Sequence, residues 1–338
     1  MRKLIGFAIL LACLVVPFGA YVRLSDAGLG CPDWPGCYGQ LSPHHAADTI
    51  QQVAVANPDG PVSLPKAWKE MLHRYLAASL GLVILLTAVL AWRRRHERLP
   101  ASLLLAGVVV QGLLGMWTVT LLLKPAIVSL HLIGGMSIAA GLLWFGLRRP
   151  AVEAPHAVTG LAWLLVLAVL LQIALGGWVS SNYAALACQG FPTCNGAWLP
   201  PAMRFEHAFH LWRELGMAPD GTPLDSANLI AIHWLHRAGA ALVSVLVWTL
   251  VLGGWRQAAL RPSLLLLLGA WLLQVALGIA NVLLQLPLPL AVAHNAGALL
   301  LLSVTVLLAA QCRWRALPAL PTLSVRLHHG LTDKRSLQ

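Results

Sequence analysis

Apolar residues run through this chain in long unbroken blocks rather than in the one-sided or alternating patterns of soluble helices and strands. Eight blocks stand out, over residues 4–22, 71–92, 101–123, 127–147, 158–179, 229–252, 263–286 and 290–310. Each is close to the ~20 mostly apolar residues that a helix needs to cross a bilayer, and nothing of soluble-domain size is left between them. The pattern predicts an all-α polytopic membrane protein with eight transmembrane helices. Composition agrees, since 58% of the 338 residues are hydrophobic and only 10% are charged, far from the balance of soluble domains. The first block follows Met1-Arg2-Lys3 and so has the basic head of a secretory signal. Its length, and the counterpart it has in the fifth block, favour a retained span.

Charge then orients the spans. The formal net charge is +11, and fifteen of the 23 Lys and Arg residues fall on one side. They are Arg2, Lys3, Arg93, Arg94, Arg95, Arg98, Arg148, Arg149, Arg256, Arg261, Arg313, Arg315, Arg326, Lys334 and Arg335. Cytoplasmic loops are enriched in Lys and Arg, so that side and both termini are expected in the cytoplasm. The basic balance reports membrane topology, with lipid as the surrounding partner and no nucleic acid. Two long loops, 23–70 and 180–228, then face an oxidising compartment and carry four of the six cysteines. Cys31 with Cys37 and Cys188 with Cys194 read as two local disulfides. Cys13 and Cys312, within or at the end of spans, read as inert fillers.

The two halves of the chain repeat one another, which governs how any site is read. Cys31-Pro-Asp-Trp-Pro-Gly-Cys37 has the same six-residue step as Cys188-Gln-Gly-Phe-Pro-Thr-Cys194. His73-Arg74 is matched by His236-Arg237. The interval from His73 to His131 is 58 residues, and so is that from His236 to His294. Gln111-Gly-Leu-Leu-Gly115 is echoed by Gln274-Val-Ala-Leu-Gly278 and by Gln172-Ile-Ala-Leu-Gly176; these read as helix-packing devices, because small residues permit close approach and amides bond between helices. With four spans in each repeat, both halves enter the membrane in the same sense. The expected architecture is two four-helix bundles related by a pseudo-two-fold axis along the membrane normal, unlike an inverted repeat. Residues 1–150 form the first unit, 151–315 the second, and 316–338 a cytoplasmic tail.

Each key histidine lies early in a span that runs inward, so the four share a similar depth. Ionisable residues inside a membrane are costly and point to function, and facing side chains at one level of a bundle build cofactor sites. Two imidazoles from opposite helices suit the two axial positions of a heme iron. Zinc and copper also take histidine and cysteine, but these cysteines lie outside the membrane in oxidised pairs. Covalent c-type heme needs a Cys-x-x-Cys-His that the chain lacks. Arg23, Arg74 and Arg237 are candidates for heme propionates. One asymmetry breaks the repeat: Glu70 lies three residues before His73 on the same helical face, where the second half has His233. It is the one acidic residue within a helical turn of a membrane histidine.

Taken together, the run from Val22 through Arg23-Leu24-Ser25-Asp26-Ala27-Gly28-Leu29-Gly30 to the Cys31–Cys37 pair, then Glu70-x-x-His73-Arg74, His131, His236-Arg237 and His294, resembles the heme A synthases of bacteria and mitochondria over essentially the whole chain. Ser25 stands where that family often has threonine, and the cysteine pairs are a bacterial-type feature. The resemblance implies a bacterial inner-membrane enzyme that oxidises the C8 methyl group of heme O to a formyl group, giving heme A for terminal oxidases. It implies that His73 and His131 bind the substrate heme with Glu70 as the catalytic carboxylate, while His236 and His294 hold a heme b that relays electrons. It also implies heme O synthase and terminal-oxidase assembly as partners, an electron donor of unidentified kind, and room for a homo-oligomer. The residues alone reach a bis-histidine membrane heme protein. A quinol-oxidising cytochrome b and a heme or metal transporter are the alternatives on that reading.

Overall fold

A computed structural model describes residues 1–147 and 150–314. Eight of its helices are long and apolar enough to cross a membrane: α1 (Arg2–Leu24), α3 (Leu64–Arg93), α4 (Arg98–Thr120), α5 (Pro125–Gly146), α6 (His156–Ser181), α7 (Ser226–Gly254), α8 (Arg261–Leu283) and α9 (Leu288–Gln311). The eight expected spans are thus present, each within a few residues of its apolar block. The first outer loop adds a short helix, α2 (Ala47–Ala56), and two three-residue strands, β1 (Val152–Ala154) and β2 (Cys312–Trp314), pair in parallel at the other end. Arg148, Arg149, Arg315, Arg326, Lys334, Arg335 and the expected tail 316–338 lie outside the described residues.

Local chemistry fixes the helix starts. The Ser63 hydroxyl accepts a hydrogen bond from the Lys66 N–H and Pro65 occupies the first turn of α3, where its missing donor costs nothing. Asp225 caps α7 by accepting from the Asn228 N–H at 2.9 Å, the usual service of an N-cap carboxylate. The short links between α4 and α5 and between α8 and α9 repeat one conformation. Leu122 and Leu123, then Gln285 and Leu286, all have positive φ, which costs each residue something and turns the chain straight back. The outer loops repeat as well, with positive φ at Asp26 and Tyr183 and at Tyr38 and Asn195, and a cis proline bond after Trp34 and after Phe191.

In the first half the helices pack in a ring, α1 on α3, α3 on α4, α4 on α5 and α5 on α1, which sets α3 and α5 on a diagonal. The second half repeats the ring with α6, α7, α8 and α9, setting α7 opposite α9. The halves meet through α1 and α5 of one and α6 and α9 of the other. This pattern is compatible with two bundles related by a two-fold axis. The buried core of Leu11, Leu80, Ile84, Met136, Leu165, Val247, Leu264 and Leu302 lies where these helices meet. Leu82, Leu103, Leu171, Leu252 and Leu265 are exposed on the outer faces, the inside-out distribution of a protein whose solvent there is lipid. Between the halves, Ser129 of α5 and Ser181 of α6 come within 3.3 Å, one of the hydrogen bonds between helices that are worth about 0.6 kcal/mol in membranes.

Met1 packs with Ala88, Ala91 and Ala101, so the N-terminus, the end of α3 and the start of α4 share one end of the molecule. Both disulfide loops occupy the opposite end. There Arg23 donates to the Tyr183 hydroxyl at 2.9 Å and to the Ser180 carbonyl at 3.1 Å, and Tyr183 donates to Asp26 at 2.9 Å. The end of α1 is thereby tied to the end of α6.

Candidate functional site

The diagonal helices carry the histidines. His73 is on α3 and His131 on α5, in electrostatic reach of each other; His236 on α7 and His294 on α9 are likewise paired. The ring of helices therefore brings together the two histidines of each half, as their spacing predicts. Each residue is only partly buried by accessible surface, although all four lie deep in the protein.

A glycine on the neighbouring helix makes room for every ring. A Cβ at Gly19, Gly115, Gly176 or Gly278 would sit 2.9, 3.1, 3.1 and 3.0 Å from the Cε1 of His73, His131, His236 and His294 respectively. Any side chain there would push the imidazole out of place. Three of the rings also touch a glutamine one turn before that glycine. The Gln111 amide nitrogen lies 3.1 Å from His131 Nδ1 and 2.7 Å from the His131 carbonyl. Gln172 lies 3.0 Å from His236 Nδ1 and 2.9 Å from its carbonyl, and Gln274 lies 3.4 Å from His294 Nε2. Each amide oxygen presses on the glycine three residues after its histidine, Gly134, Gly239 or Gly297. The Gln-x-x-Leu-Gly echoes are packing devices, as expected, and the object they pack is the histidine. The signal for that role in the sequence is the recurrence of one Gln-x-x-Leu-Gly on the span before each of three histidines.

Above the histidines the outer loops dock on the starts of α3 and α7. Cys31 and Cys37 form a disulfide, as do Cys188 and Cys194. The buried Glu70 carboxylate accepts from the Cys31 N–H at 2.9 Å and from Arg74. Arg74 also donates to the carbonyls of Asp33 at 2.8 Å and Gly36 at 2.6 Å. In the second half, His233 Nδ1 accepts from the Cys188 N–H at 3.3 Å. Arg237 donates to the carbonyls of Cys188 at 2.7 Å, Gly190 at 2.9 Å and Thr193 at 3.0 Å. Glu70 and His233 thus do the same structural work, and the two arginines are turned into the loops. The Asp33 carboxylate closes the first turn by accepting from the N–H groups of Tyr38 at 2.6 Å and Gly39 at 2.8 Å. Burial, and then that carboxylate, push the Tyr38 phenol above its ordinary range. Arg23 differs from the other two arginines in keeping a buried Nε with no partner.

Heme suits these residues. Each half offers two imidazoles from opposite helices and a glycine cradle for each, and among the described residues no larger set of His, Cys, Asp or Glu gathers to hold a bare metal ion. The polar atoms left over are informative. The Oε1 atoms of Gln111, Gln172 and Gln274 and the Nδ1 atoms of His73 and His294 are buried without a hydrogen bond, an expensive state for polar groups. An imidazole that ligates iron carries its proton on the other nitrogen and donates it. The Gln111 and Gln172 amide nitrogens face both the ring and the main-chain carbonyl of their histidines, so each amide fixes ring and helix together.

The family described as COX15-CtaA, cytochrome oxidase assembly protein, matches residues 2–306. Several curated relatives are named heme A synthase. That of Shewanella oneidensis is 40% identical over 311 residues, covering 90% of this chain and 94% of the relative. That of Beijerinckia indica is 31% identical over 330 residues, covering 88% of each, and that of Methylobacterium radiotolerans is 32% identical over 324 residues, covering 87% and 85%. With a match that runs through both histidine pairs and both disulfide loops, this chain belongs to the COX15-CtaA family of cytochrome oxidase assembly proteins.

Proposed function

We infer that the chain is a heme A synthase, an oxidoreductase of the membrane that oxidises the C8 methyl group of heme O to a formyl group. The observation that carries this is the pair of diagonal histidines in each half, in a chain whose relatives over nine-tenths of its length are heme A synthases. That agreement disfavours the cytochrome and transporter readings, for which nothing further speaks.

The division of labour follows the break in the repeat at Glu70. His73 and His131, in the unit 1–150, hold the substrate heme, and Glu70 serves the oxidation beside them. His236 and His294, in the unit 151–315, hold a resident heme b that relays electrons from a donor of unidentified kind. The heme supplies the redox chemistry at the methyl group, and the chain supplies position and proton handling. Glu70 is suited to hold or pass a proton, because its carboxylate bridges the loop and Arg74 at the outer end of the site. Of the three arginines considered for propionates, Arg23 is the one whose Nε is buried without a partner; Arg74 and Arg237 shape the loops. The chain sits in the bacterial inner membrane with both termini cytoplasmic. It receives heme O from a heme O synthase and passes heme A to terminal-oxidase assembly.

The test is chromatography of hemes extracted from a host that lacks its own heme A synthase, expressing this chain with a heme O synthase. Heme A should appear. A host that accumulates heme O alone, with this chain present in the membrane, would overturn the reading.

A further inference from the structure

Three of the four histidines have a glutamine against them, His131 and His236 through Nδ1 and the main-chain carbonyl and His294 through Nε2 at 3.4 Å, and the fourth has none. The brace has four parts: a glutamine, a glycine four residues later, the histidine on the next span, and a glycine three residues after it. Gln111, Gly115, His131 and Gly134 make one set; Gln172, Gly176, His236 and Gly239 a second; Gln274, Gly278, His294 and Gly297 a third. At His73 the glycine cradle is kept as Gly19, but the position four residues before it is Val15 and the position three after the histidine is Leu76. Val15 and Leu76 have nothing to donate or accept. His73 Nδ1, like His294 Nδ1, is buried without a partner, but no glutamine touches the His73 ring, which has Phe18 beside it at a centroid distance of 6.2 Å.

We propose that Gln111, Gln172 and Gln274 are positioning residues that keep His131, His236 and His294 on their irons, and that His73, lacking such a brace, is the axial ligand that comes off. The proposal rests on the heme reading above and deepens it. An iron with both axial positions filled by fixed imidazoles passes electrons but has no position for a small diatomic ligand, whereas oxidation chemistry at heme depends on such access. A hydrogen bond to the distal nitrogen of a ligating imidazole fixes ring orientation and raises its basicity; losing it typically costs 10–100-fold in metal affinity. The pattern of braces assigns the electron-carrying role to the second half, where both ligands are held. It assigns the open position to the α3 side of the first half.

Carbon monoxide binding to the reduced, purified protein tests this, with the protein loaded with heme O by co-expression. The N-terminal heme should bind CO and the C-terminal heme should not. Placing the brace on the first pair, with Val15→Gln and Leu76→Gly together, should weaken CO binding there by tenfold or more. Should that double variant fail to fold, Gln172→Leu carries the test at the other end. It should make the C-terminal heme bind CO and weaken its low-spin bis-histidine absorption, and Gln172→Glu, which keeps an acceptor for the ring N–H, should restore both. An N-terminal heme that refuses CO in the parent protein, or a Gln172→Leu protein with an unchanged low-spin, CO-refusing spectrum, overturns the proposal. Protein with no heme in its first half would instead overturn the heme reading itself.

Discussion

Glu70 and His233 occupy the same place in the two halves: each accepts the main-chain N–H of the first cysteine of its disulfide loop, Cys31 at 2.9 Å and Cys188 at 3.3 Å. Each also faces an arginine four residues on, Arg74 and Arg237. The loop-holding task is therefore common to both, and what Glu70 adds is a carboxylate. Replacing Glu70 by Gln keeps an acceptor for Cys31 and removes the charge. The variant should fold, keep its disulfides and lose only about 1–3 kcal/mol, the scale of one buried charged partner, since Arg74 retains its carbonyl acceptors. Heme A formation should fall by roughly a hundredfold, the lower end of what a proton-handling group contributes, with heme O or the hydroxylated precursor accumulating. Chromatography of extracted hemes reads this directly; undiminished heme A would remove Glu70 from the chemistry.

Besides Glu70 or His233, each outer loop is held by a disulfide and by an arginine. Closing a seven-residue loop covalently is worth roughly 2–3 kcal/mol on the loop-entropy model. Changing Cys188 and Cys194 together to Ser should therefore lower thermal stability modestly and leave heme in place. The same change combined with Arg237→Leu leaves only the His233 contact and should loosen the loop. Limited proteolysis should cut between residues 188 and 198 in the triple variant and not in the double one.

Both helix count and histidine pairing were legible in the sequence, because bilayer thickness fixes span length and a repeated 58-residue interval leaves few geometries. The brace was legible only as a recurrence: Gln111, Gln172 and Gln274 could be seen to repeat, but that each reaches the histidine of the following span depends on which helices are neighbours. The loop-holding roles of Arg74 and Arg237 had no sequence signal distinct from that of a propionate contact, since an arginine at the outer end of a span has many partners in reach. Helix α2 was missed because ten residues of mixed polarity do not stand out within a long loop.

Orientation rests on the Lys and Arg distribution. Single cysteines placed at Arg95 and at Asp59, in a protein whose Cys13 is replaced, should differ in their reaction with an impermeant reagent added to intact cells. Asp59 should react and Arg95 should not. The reverse pattern would invert the topology and put the disulfide loops in the reducing compartment.

The division of labour between the halves is tested most directly by the heme content of two purified variants, His131→Ala and His294→Ala, expressed with a heme O synthase. The first should keep heme b with its bis-histidine spectrum and carry neither heme O nor heme A. The second should lose heme b, whatever it retains in its first half. If His294→Ala keeps a full complement of low-spin heme b, or His131→Ala still carries heme A, the assignment of substrate to the N-terminal pair and of resident heme to the C-terminal pair is wrong.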